Sequence, residues 1–106
     1  MATGRLGTAD LAATTNTTVY ACPVTTFTVA SVSICNRTSG TITIRLALAD
    51  TSTPAADEYL EYDVQILANG VLERTGIVIN AGNQLVAYAS DVGVSVVVMG
   101  IETPTV

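Results

Sequence analysis

Histidine, lysine and tryptophan are all missing from these 106 residues, and the first absence excludes the most. Ser-His-Asp and Cys-His nucleophile activation depend on imidazole, as do most zinc sites, so those reaction classes fall away. The two cysteines, Cys22 and Cys35, cannot by themselves supply a four-thiolate metal site. Charge is also scarce, at 12% of residues, about half the density of an ordinary soluble domain. Nine acids face only four cations, the scattered Arg5, Arg37, Arg45 and Arg74, for a net charge of −5. Without a basic stripe to displace counterions from phosphates, nucleic acid is not expected as a partner. No apolar run approaches the roughly 20 residues of a membrane span. Met1-Ala2-Thr3-Gly4-Arg5 leads into no apolar h-region, so the expectation is neither a membrane protein nor one with a signal peptide. No cofactor loop is visible, and no cofactor is expected.

What the chain does have is alternation. From Tyr59 to Leu67, apolar Leu60, Tyr62, Val64 and Ile66 fall at every second position; Ala68-Asn69-Gly70 then leads into a second apolar run, Val71 to Ile79. This pattern predicts a β-hairpin. Hydrophobic residues reach 49%, enough in a chain of this length for one core. Threonine is frequent, in runs such as Thr14-Thr15-Asn16-Thr17-Thr18, and suits a pleated, half-exposed surface. A low-charge, threonine-rich β surface is expected of a subunit whose faces are covered in an assembly; a weakly charged secreted monomer is the alternative.

Read in order, Met1 to Asn16 carries small residues without sustained periodicity and predicts an extended arm, residues 1–16. The sandwich domain is expected over residues 17–106. Thr17 to Cys22 reads as a short strand ended by Pro23, and Phe27 to Asn36 as a second whose alternation slips near Ala30-Ser31, the mark of a bulge. After the polar turn Asn36 to Gly40, Thr41 to Ala49 alternates cleanly, with Ile42, Ile44, Leu46 and Leu48 on one face. Asp50 to Ala56 reads as the longest loop. Gln84 to Ser90 and Val94 to Ile101 complete about seven strands, the last nearly continuous in apolar residues and expected to be buried on both faces. The fold class predicted is an all-β, antiparallel β-sandwich, immunoglobulin-like or jelly-roll-like, with a closed barrel as the alternative.

Few residues offer chemistry. Glu61 and Asp63, two apart on one strand, would stand roughly 7 Å apart on the same face, a spacing resembling glycosidase acids, although exposed carboxylates commonly serve only solubility. If the first two strands form a hairpin, Cys22 and Cys35 lie roughly 25 Å apart and cannot bond; if the second strand crosses to the other sheet, they can approach. Cys35 is expected to be a buried thiol, and Cys22, beside Pro23, an exposed one available for an intermolecular disulfide. Tyr20, Tyr59, Tyr62 and Tyr88 are candidates for stacking on sugars, but Tyr59 and Tyr62 fall on opposite faces of a regular strand. The sequons at Asn16 and Asn36 are assigned no function.

The opening Ala2-Thr3-Gly4-Arg5-Leu6-Gly7-Thr8-Ala9-Asp10-Leu11, the stretch Thr17-Thr18-Val19-Tyr20, the run Ile34-Cys35-Asn36-Arg37, the segment Glu61-Tyr62-Asp63 with Ala68 to Gly76, and the ending Val94 to Val98 with Gly100-Ile101-Glu102 carry a resemblance. They look like small virion structural proteins of tailed bacteriophages, chiefly contractile-tailed ones. That likeness implies a non-enzymatic virion component assembled in the host cytoplasm and contacting a major capsid protein or neck and tail proteins. A capsid decoration or linking protein is expected first; a neck, collar, tail or fibre subunit comes second and a carbohydrate-binding module third. Homo-oligomerisation is expected, and Arg5, Leu6 and Leu11 are candidate tether contacts within the arm.

Overall fold

Strands account for nearly all regular structure in the computed structural model, which describes residues 2–105. Eight are present: β1 Thr3–Asp10, β2 Thr17–Ala21, β3 Thr26–Asn36, β4 Ile42–Ala49, β5 Tyr59–Ile66, β6 Val71–Ile79, β7 Gln84–Ala89 and β8 Val94–Pro104. They form two four-stranded antiparallel sheets with orders β1-β8-β3-β6 and β2-β7-β4-β5. The chain therefore folds as one long nested ribbon, first strand on last, second on seventh, third on sixth and fourth on fifth. Rolling that ribbon brings β8 onto β3 and β7 onto β4. This is the strand order of a jelly roll. The sheets stay separate, so the closed barrel is not formed.

The core follows from period-2 alternation on the inner faces. From β3 and β8 come Ala30, Val32, Ile34, Val94, Val96 and Val98; from β4 and β7 come Ile42, Ile44, Leu46, Leu85, Ala87 and Ala89. Each larger aliphatic side chain buried here contributes about 1.5–3 kcal/mol against exposure. The apolar run in β8 is buried on its inner side only: Val97 is half-buried and Met99 exposed, because this strand lies between β1 and β3 with its other face outward.

Two expectations about connectivity are corrected. The segment from Tyr59 to Ile79 yields both strands but no hairpin: β5 pairs with β4 and β6 with β3, so Ala68-Asn69-Gly70 carries the chain from one sheet to the other. Alternation specifies a strand and its buried face, and says nothing of its partner. Of the sequential connections, only β4 to β5 joins paired neighbours.

The extended arm is the second correction. Residues 3–10 are β1, paired with β8 from Thr3↔Ile101 to Asp10↔Ser95, and this raises seven strands to eight. Leu6 is an extra residue at the register shift between Arg5 and Gly7, and the shift erases the alternation that would have marked a strand. Gly7 is needed where β1 approaches the other sheet, because a Cβ there would stand 2.2 Å from the Val19 carbonyl oxygen. Met1 of the expected arm and Val106 of the expected sandwich lie outside the described residues.

The bulge expected near Ala30-Ser31 is present, but its extra residue belongs to β6: Ala30 pairs with Ile77 and Val32 with Arg74.

Candidate functional site

The outer face of the β1-β8-β3-β6 sheet is the most apolar exposed surface built from regular structure. Odd-numbered residues of β3 point outward because the even-numbered ones fill the core. Register then aligns Val78 of β6, Val29 of β3 and Ile101 of β8 in one row, exposed at 61%, 44% and 57%. Phe27 and Met99 flank the row on the same side. The charged side chains of this face are Arg5, directly across from Met99; Asp10, across from Ser95 and paired with Arg37; and Glu73, on β6 across from Ser33.

The opposite outer face carries an aromatic cluster around Arg45 of β4. Its guanidinium carbon lies 4.4 Å from the centre of the Tyr62 ring and 4.5 Å from that of Tyr88, and its Nε donates to Asp63 Oδ1 at 2.6 Å. Tyr59 and Tyr62 meet edge to face with centroids 4.8 Å apart, and with Ala56 they line an open groove. Their contact corrects the expectation that they occupy opposite faces. β5 has two register shifts, Ile44/Leu46 and Leu46/Ala47 on its partner, and Asp63 takes a left-handed φ of 54°. Each added residue resets the alternation, so both tyrosines reach one side.

The same irregularity separates the two carboxylates. Glu61 accepts from Arg74 Nη1 at 2.6 Å, closing the β5 and β6 edges, while Asp63 is held by Arg45. Each acid is neutralised by its own arginine, so no acid pair faces a shared substrate position. Among the described residues, no group of three or more potential ligands could hold a metal ion.

The cysteine expectations are reversed in their burial. Cys22 is 4% exposed, its thiol 3.4 Å from both the Thr26 carbonyl oxygen and the Thr28 hydroxyl; Cys35 is half-buried on the outward side of β3. The cause is the crossing of the chain at Pro23, which turns Cys22 between the sheets. Both thiols are free within the chain. Of the tether candidates, Leu11 is 2% exposed and enclosed in the core, Leu6 is half-buried and packs against it, and Arg5 is exposed.

Two buried polar residues escaped the sequence reading. Asn36 donates through Nδ2 to the carbonyls of Gly40, Ile66 and Leu67 at 2.8, 3.0 and 3.2 Å, and its Oδ1 accepts from the Thr38 N–H. It ties the β3–β4 turn to the β5–β6 crossing, and a glycosylation acceptor could not be so enclosed. Glu102, on β8, accepts from the Tyr20 hydroxyl and from the Ala2 N–H at 3.0 Å. The pairing of first and last strands brings Ala2 to Glu102, the packing of β2 against β8 across the sandwich brings Tyr20, and no local pattern announces either.

No curated protein and no solved structure matches the chain. The family described as Trs120/TRAPPC9, fourth Ig-like domain, matches residues 7–95, from within β1 to the start of β8. Sandwiches of this class share a two-sheet architecture more widely than one strand order. By that match, the chain belongs to the family of the fourth Ig-like domain of Trs120/TRAPPC9.

Proposed function

We propose that this chain is a non-enzymatic structural subunit of a tailed-bacteriophage virion, acting as a capsid decoration or linking protein that ties neighbouring capsid subunits together. The observation that carries this reading is the exposed row Val78, Val29 and Ile101 with Phe27 and Met99 on a rigid sheet face. Contiguous exposed apolar surface is costly to keep in water and marks a contact surface. The resemblance of the sequence phrases to small virion proteins of tailed bacteriophages supports the virion setting, and the jelly-roll order, found in viral capsid and lectin domains, agrees with it by analogy of fold. Membership in an Ig-like domain family fits a packing role and assigns no partner.

Replacing Val29 with Asp puts a charge in the centre of the row at an exposed site. The variant is expected to fold and to lose occupancy on the particle; full occupancy would overturn the reading. Quantifying copies per purified particle separates the positions: hundreds indicate a decoration protein, and tens a collar, tail or fibre subunit.

A further inference from the structure

From the charge pattern around the apolar row, we infer that the occupant of the β1-β8-β3-β6 outer face is a second copy of this chain, packed face to face about a two-fold axis running along the strands. The inference rests on reading that face as a docking surface. Arg5 stands on β1 at one edge of the sheet and Glu73 on β6 at the other, both outward, and neither has an ion pair among the described residues. The other three arginines are all paired within the chain.

A two-fold axis along the strands, between β8 and β3, lays the β1 edge of one copy over the β6 edge of the other and stacks the apolar row upon itself. Each Arg5 then faces the partner's Glu73, displaced along the strand by about two residues, or roughly 7 Å, within the span of an arginine side chain. An axis across the strands would instead place Arg5 over the partner's own β1, leaving both charges without a counterpart. The arrangement is isologous, so the ion pair forms twice. Four strands at about 4.8 Å spacing and about 9 residues in length give a footprint of roughly 600 Å². Side chains projecting from such a footprint raise the accessible surface buried toward the ~800 Å² per partner of a stable interface.

Cys35 supplies a probe. It lies outward on β3, beside the axis, while Cys22 is enclosed.

The test is sedimentation of the purified full chain and its charge variants, with circular dichroism confirming the fold. Wild type is expected to be dimeric, R5E and E73R monomeric, and the double variant R5E/E73R dimeric again. A short bismaleimide is expected to couple wild-type chains through Cys35 and to fail on C35S. A dimer untouched by either single reversal would overturn the face assignment. A monomeric wild type that still requires Val29 for particle binding would overturn the second copy and leave the docking face standing; a monomer indifferent to Val29→Asp would remove both.

Discussion

The hydroxyl of Tyr20 and the carboxylate of Glu102 meet across the sandwich at 2.5 Å, although 82 positions separate them in the chain. Tyr20 also shares a hydrogen bond with Thr28 at 2.8 Å, so three strands converge on one buried oxygen. The tyrosine's donation holds the Glu102 carboxyl below its ordinary range, assisted by the Ala2 N–H against the opposing effect of burial. Burial first, and then the bond to Glu102, pushes the Tyr20 phenol well above its usual value.

Tyr20→Phe removes this donor and leaves Glu102 with only the Ala2 N–H. The expected loss is about 1–3 kcal/mol of unfolding free energy, read from urea denaturation. In the wild type, the depressed Glu102 pKa contributes stability that is present above the ordinary carboxylate range and is lost as pH falls through the folded value. The raised Tyr20 pKa contributes stability present below about pH 10 and lost as pH rises toward the folded value. Both dependences are expected to flatten in Tyr20→Phe, and unchanged acid and alkaline limbs would contradict the assignment.

Removing residues 1–16 is expected to destabilise the whole sandwich. The deletion strips β1 from β8, exposes an apolar edge and takes Leu11 out of the core. Leu11→Ala alone is expected to cost about 2–5 kcal/mol. A truncated chain with wild-type thermal stability would restore the picture of a free tether.

Asn36 permits a graded test. Asn36→Ala leaves three carbonyls without their shared donor, at about 1–3 kcal/mol. Asn36→Asp is expected to be worse, because an ionised carboxylate would face those same carbonyl oxygens. Its deficit should grow as pH rises, since the folded state disfavours the charged form. Chemical denaturation at two pH values measures both.

Thiol labelling should discriminate sharply between the cysteines. In the monomeric R5E variant, Cys35 is expected to react with an aromatic disulfide reagent under native conditions, and Cys22 only on unfolding. Mass mapping of the labelled peptides checks this, and faster labelling of Cys22 would contradict its placement between the sheets.

Much of the fold was legible, strand by strand. Ile42 to Leu46 and Ser31 to Ile34 announced themselves because their inner residues are apolar and their outer ones polar at each step. Partners were not legible: the β5 and β6 segments look like a hairpin, yet their pairs lie on β4 and β3, chosen by the rolled topology and not by the turn between them. Bulges hid the rest. One extra residue at Leu6 disguised β1 as an arm, and the irregularities around Asp63 moved Tyr62 beside Tyr59 and sent Glu61 to Arg74. The exposed apolar row was invisible for a related reason, since Val29, Val78 and Ile101 are neighbours only through the register of three strands.

Because Ala2 bonds to both the backbone and the side chain of Glu102, the two extremities of the described fold emerge at one corner. A short peptide stitched between them would close the polypeptide into a ring, and new openings could then be cut in an exposed loop such as Thr51 to Thr53. Cargo fused at either extremity would hang from the same point, so the body would serve as a display scaffold with a single fixed mounting position.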